Sequence, residues 1–170
     1  MKFKRKAIIG VMGPGEGASK EDTHIAFELG KGIAREGWVV LSGGRNAGVM
    51  DAVSRGAKTS GGLVVGVLPG EDAKNMSRFV DIPILTGLGS ARNNINVLSS
   101  DIVIACGAGL GTISEIALAL KAGKKVGLLN FDVSARELFE RHAPEKIEAF
   151  NNVEAALKWV KSALLNDSRY

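Results

Sequence analysis

Six short apolar runs punctuate the chain, at residues 7–12, 38–41, 63–68, 82–85, 102–106 and 126–129. They are continuous rather than alternating, the pattern of strands buried on both faces in a parallel sheet. Helical patterns lie between them. Residues 20–35 carry Ile25, Phe27, Leu29 and Ile33, 47–57 is short and rich in small residues, and 90–99 sets Ile95 and Leu98 three apart. Residues 112–122 are strongly apolar, and 153–165 places Leu157, Val160 and Leu164 on one face with lysines opposite. Alternating strand and helix predicts an α/β domain: a mostly parallel sheet of about six or seven strands flanked by helices, spanning residues 1–170 as one domain. Asn151 and Asn152 read as a loop before the last helix.

Composition adds one feature to this picture. Of 170 residues 22 are glycine, nearly double ordinary usage, yet 45% are hydrophobic and only four are proline. Eleven of those glycines fall just after four predicted strands: Gly13, Gly15 and Gly17; Gly43, Gly44 and Gly48; Gly87 and Gly89; Gly107, Gly109 and Gly111. The carboxyl edge of a parallel sheet is where ligands bind, so the excess glycine marks an expected binding edge.

Charge is mildly positive, +4, with one basic group at Lys2, Lys4, Arg5 and Lys6 and another at Lys121, Lys124 and Lys125. A nucleic-acid binder shows a longer basic stripe interleaved with aromatics, so the balance suits a small anionic ligand instead. Cys106 is the one cysteine, which excludes an intramolecular disulfide, and His24 and His142 have no nearby cysteine, so no metal site is expected. Cys106 reads as a small buried residue, and the two histidines as surface or capping residues. The apolar run 7–12 is too short for a signal peptide or a membrane span, and a cytoplasmic location is expected.

The glycine clusters carry the candidate chemistry. Gly13-Pro14-Gly15-Glu16-Gly17-Ala18 follows a strand and matches a phosphate-turn pattern, but no acid closes the second predicted strand to take a ribose, which argues against a dinucleotide site. Ser19 to Asp22 fits a helix capping box. Arg45, after Gly43 and Gly44, faces either a ligand phosphate or solvent. In the third cluster Arg92, Asn93, Asn94 and Asn96 start a helix, with Arg92 and Asn96 sharing a face. An arginine is mildly unfavourable at a positive helix start, which points to a bound anion; a surface arginine is the alternative. Gly107, Gly109, Gly111 and Thr112 form an anion cradle at a helix start. Thr112 and Glu115 also have capping-box spacing, so Glu115 either contacts a ligand or only satisfies backbone donors. P-loop, zincin and α/β-hydrolase nucleophile motifs are missing.

Ser42-Gly43-Gly44, Gly48-Val49-Met50, Arg92 and Gly109-Leu110-Gly111-Thr112 with Glu115 resemble the Lonely guy superfamily over roughly residues 6–130. The resemblance implies a Rossmann-like fold and, in the family's enzymes, hydrolysis of the N-glycosidic bond of cytokinin nucleotides, with the arginine and glutamate at Arg92 and Glu115 catalytic. The enzyme signature departs here: its proline and first glycine fall on Gly107 and Ala108, and its lysine falls on Asn93. The run Arg92-Asn93-Asn94-Ile95-Asn96 and the early Gly13-Pro14-Gly15 loop look more like the molybdenum cofactor carrier branch. That branch implies a homo-oligomer, tetramer or dimer, holding molybdopterin as cargo. Nothing supports the older lysine decarboxylase label.

The leading expectation is therefore a carrier for a phosphate-bearing ligand, a pterin phosphate or a nucleotide monophosphate. Gly13, Gly15, Gly17, Gly43, Gly44, Arg45, Gly89, Arg92, Asn93, Asn96, Gly107, Gly109, Gly111, Thr112 and Glu115 form its site. A nucleoside 5′-monophosphate phosphoribohydrolase and a nucleotide-sensing module without turnover stand as alternatives. The apolar helix stretch 113–120 is expected to be buried between helices, within one chain or across subunits.

Overall fold

The computed structural model describes residues 5–166. Seven strands, β1 (Ile8–Met12), β2 (Val39–Ser42), β3 (Leu63–Leu68), β4 (Ile82–Leu85), β5 (Ile102–Cys106), β6 (Lys125–Leu129) and β7 (Ile147–Phe150), form one sheet in the order β4-β3-β2-β1-β5-β6-β7. Every pairing is parallel. The helices are α1 (Lys20–Arg35), α2 (Gly48–Thr59), α3 (Asn93–Ser99), α4 (Leu110–Lys121), α5 (Val133–His142) and α6 (Val153–Leu165), with a 3-10 turn over Gly89–Arg92 ahead of α3.

The continuous apolar runs resolve into two faces. Ile9, Val11, Val40, Val64, Ile102 and Ile104 point one way, into a layer built with α1, α2 and α6. Met12, Leu41, Val67, Val103, Ala105 and Val126 point the other way, toward α3, α4 and Phe139 of α5. Each central strand thus needs apolar residues at successive positions, since side chains alternate across the sheet.

Local signals set several helix ends. The Ser19–Asp22 capping box is formed: Asp22 N–H donates to Ser19 Oγ at 3.0 Å and Ser19 N–H to Asp22 Oδ2 at 2.9 Å. Asn152, within the predicted loop, caps α6 by accepting from Ala155 N–H at 2.9 Å. Two elements escaped the hydrophobic pattern. In α5 the side chains of Val133 and Leu138 are exposed and Phe139 is its one buried residue. β7 is a four-residue edge strand. Neither builds the core in a way that leaves an apolar run.

The basic N-terminal group is divided. Arg5 pairs with Asp101, whose carboxylate also accepts Ile8 N–H, while Lys2 and Lys4 lie outside the described residues. Lys124 donates to the carbonyls of Ser100 and Leu98. No helix among the described residues is long and apolar enough to cross a membrane.

Candidate functional site

The strand order reverses between β1 and β5, the topological position where an open α/β sheet forms a crevice. A cleft of about 550 Å³ opens there. Gly13, Gly15 and Gly17 line it from the β1–α1 loop, and Gly43 and Arg45 from the β2–α2 loop. Gly89 and Arg92 line it ahead of α3 and Asn93 at its first residue, with Gly109, Gly111, Thr112 and Glu115 from the start of α4. Four loops far apart in sequence thus converge on one space.

Arg92 is buried against the floor, its side chain 10% exposed. Its slot exists because residue 43 is glycine: a Cβ there would stand 2.6 Å from Arg92 Nη1 and from Met50 Sδ. The reading of Arg92 as a surface arginine is therefore corrected. Arg92 Nη1 lies 3.9 Å from Glu115 Oε1, too far for a hydrogen bond. Arg92 Nε is buried with no hydrogen-bond partner among the described residues. Burial pulls its pKa below the ordinary arginine value, Glu115 opposes that shift, and Arg45 adds to it by repulsion. A guanidinium stays charged even so.

Glu115 is buried, and burial pushes its carboxyl above the ordinary range against the pull of Asn96 and Arg92. Asn96 Nδ2 donates to Glu115 Oε1 at 2.8 Å. The capping-box reading of Glu115 is also corrected. The N-cap of α4 is Gly109, with no side-chain cap; Thr112 is the third residue of the helix and Glu115 lies a turn further on. Thr112 Oγ1 is buried without a hydrogen-bond partner among the described residues. The α4 N-terminus therefore presents a positive end with no acid in its first turn.

Three predicted residues stay out of the cleft. Asn96 is fully buried behind Glu115 and orients it rather than facing the opening. Gly44 packs on β3, where a Cβ would stand 2.8 Å from Gly66 Cα, and a Cβ on Gly107 would overlap the Asp22 carboxylate. Both glycines answer a packing demand. Arg45 lines the cleft while paired with the exposed Glu16 at 3.1 Å. Asp51, in the first turn of α2, accepts from Ser77 Oγ at 2.7 Å.

The sequence profile of the SLOG cluster4 family matches residues 6–157. The chain belongs to the SLOG cluster4 family. The molybdenum cofactor binding protein from Rippkaea orientalis superposes with a TM-score of 0.93 at 55% identity, over 94% of this chain and 98% of that one. The molybdenum cofactor carrier protein from Chlamydomonas reinhardtii does so at 0.92 and 48%, over 95% and 100%. A cytokinin riboside 5′-monophosphate phosphoribohydrolase from Mycobacterium tuberculosis is 33% identical over 94 residues, 54% of this chain and 50% of that protein. The resemblance to the Lonely guy superfamily, and within it to the carrier branch, thus holds across the chain, as does the Rossmann-like fold.

Residues of the SLOG cluster4 cleft that sequence reasoning left out of the site are Val11, Met12, Pro14, Met50, Pro69, Ser90 and Leu110. Most are apolar, and an apolar residue carries no chemical signature; the signal available was that Pro14, Met50 and Leu110 sit inside the glycine motifs. They give the cleft an apolar wall beside its polar donors.

Backbone packing holds the mouth of the cleft. Gly48 has φ +49°, and a Cβ there would overlap the carbonyl oxygens of Pro14 and Gly15, while Val49 N–H donates to Pro14 O at 3.0 Å. Gly48→Ala is expected to lose about 2 kcal/mol or more of stability, from the left-handed backbone and the overlap together. Urea denaturation checks it; an unchanged midpoint contradicts this account of the loop. Cys106 is fully buried, and burial, helped by Asp22, pushes its thiol far above the ordinary range. Iodoacetamide is therefore expected to leave it unmodified in the folded protein and to label it in denaturant.

Proposed function

We propose that this SLOG cluster4 protein binds and carries a phosphate-bearing pterin of the molybdenum cofactor type. The observation that carries the reading is the pair of unpartnered buried donors, Arg92 Nε and Thr112 Oγ1, beside the uncapped α4 N-terminus. Buried polar atoms in native proteins are satisfied, and an oxyanion seated between Arg92 and α4 supplies the missing acceptors. The apolar wall of Met12, Pro14, Met50 and Leu110 suits the ring system. The Rippkaea and Chlamydomonas relatives, with their named cofactor binding and carriage, support the same ligand class. A homo-oligomer, dimer or tetramer, belongs to the reading, supported by the exposed side chains of Leu98 on α3 and Leu110 on α4. Mass spectrometry of small molecules released from protein made in a cofactor-producing host is expected to find the pterin, and to find it depleted in Arg92→Ala. No pterin in the wild type, or equal amounts in both, overturns the reading.

The meeting of Arg92 and Glu115 in one cleft favours a second reading, N-glycosidic hydrolysis of a nucleoside 5′-monophosphate. Free adenine released from AMP by the wild type and not by Glu115→Ala would support it, and release no greater than in that variant rejects it. Thermal stabilisation by AMP without adenine marks the nucleotide-sensing alternative.

A further inference from the structure

A second crevice of about 260 Å³ lies on the same carboxyl edge of the sheet, between the ends of β6 and β7 and the helices α1 and α5. Its wall includes Asn130, Phe131, Arg136, Asn151 and Glu21. None of these residues lines the cleft described above. Two observations of different kinds converge on it. Arg136 Nε is buried with no hydrogen-bond partner among the described residues, and Glu140 Oε1 stands 3.7 Å from its Nη2, beyond hydrogen-bond reach. Asn130 is the one non-glycine among the described residues with a left-handed backbone, φ +57°. It is held there by donating Nδ2–H to Asp22 Oδ1 at 2.7 Å. An unsatisfied guanidinium N–H and a strained residue in one crevice are the two features that mark ligand sites.

We propose that this crevice is a second site for a small oxyanion, the carboxylate or phosphate of a small metabolite, gripped by Arg136. The Nε–Nη edge of a guanidinium matches two oxygens of either group. Arg136, its side chain 37% exposed, has Nε without a hydrogen-bond partner among the described residues and holds Glu140 at Nη2 only through the 3.7 Å ion pair. The volume falls just below the roughly 300–1,000 Å³ of pockets for drug-sized ligands, so the ligand is small. Phe131 gives its organic body an apolar surface. Glu21 stands exposed at the rim, where water screens its charge.

Nitrogen–proton correlation spectra of the full chain test this. Inorganic phosphate and acetate are titrated separately, reading the Arg136 Nε–H and Asn130 Nδ2 signals. Saturable shifts of both signals are expected with at least one probe, and the probe that acts says whether phosphate or carboxylate chemistry is read. In Arg136→Gln, with its amide spectrum otherwise retained, the Asn130 response is expected to vanish. In Arg92→Gln the Arg136 response is expected to persist, which separates this site from the carrier cleft. No shift with either probe, an Asn130 response unchanged in Arg136→Gln, or an Arg136 response lost in Arg92→Gln overturns the proposal.

Discussion

Replacing Arg92 by alanine is expected to weaken binding of the proposed phosphate-bearing pterin by on the order of 30- to 1,000-fold or more, while the protein still folds. Truncating one partner of a buried charge interaction typically costs about 2–5 kcal/mol. Arg92 is such a partner, buried, with an unsatisfied Nε at the cleft floor. Folding is expected to survive because Glu115, which burial already shifts toward its protonated form, can shed its charge by taking a proton. Isothermal titration measures the affinity, and equal values for wild type and variant sink the assignment.

The same variant carries a pH signature with a definite sign. Burial raises the Glu115 carboxyl in the folded chain, so the folded state binds that proton more tightly than the unfolded one. Ionising Glu115 therefore opposes folding. Its penalty is absent below the unfolded carboxylate range near ~4.3, grows as pH rises through the folded value, and is full above it. Arg92 holds the folded value down, and without it the penalty reaches further up in pH. The stability gap between wild type and Arg92→Ala is thus expected to be smallest in acid and to widen toward neutrality. Urea melts from about pH 4 to about pH 8 read it directly, and adding Glu115→Gln to Arg92→Ala should flatten the profile. A gap that narrows with rising pH contradicts the burial account of Glu115.

The second large effect is structural. Gly30→Val is expected to destabilise the fold by about 2 kcal/mol or more, a fall in melting temperature of roughly 4–8 °C. Helices α1 and α2 touch backbone to backbone: a Cβ at Gly30 would overlap Val53 O and stand 2.9 Å from Ala57 N, and one at Gly56 would overlap Phe27 O. Helix propensity argues the other way, since glycine in a helix is less favourable than alanine by under about 1 kcal/mol. The overlap is with rigid backbone and outweighs that preference. Gly32→Ala, on the same helix, is the control. Its Cβ would meet only the flexible end of Leu157, so it is expected to be neutral or mildly stabilising. Thermal melts that order the two variants the other way would reject the packing argument.

Much of this architecture was legible in the chain. The runs at 7–12 and 102–106 announced strands covered on both faces, and the glycine clusters behind them announced the carboxyl edge. Buried strands write themselves into sequence because water is excluded from both sides. β7 and α5 did not, because a half-exposed edge strand and a helix with one buried side chain satisfy no such demand.

The site divides along the same line. Residue type and spacing alone named Arg92, Thr112, Glu115 and the glycines, since an anion calls for donors, a helix start and room for the backbone. What the chain could not say is which glycine makes room for a ligand and which for the protein itself. Gly43 opens the slot for Arg92, whereas Gly44 and Gly107 clear space for Gly66 and Asp22, residues distant in sequence. Nor could spacing choose between Glu115 as a cap and Glu115 as a buried partner of Asn96 and Arg92. Those answers depend on contacts between segments that only folding brings together. Local sequence thus determined every element but β7 and α5 and named the candidate donors, and tertiary packing decided which of them are buried and what they pair with.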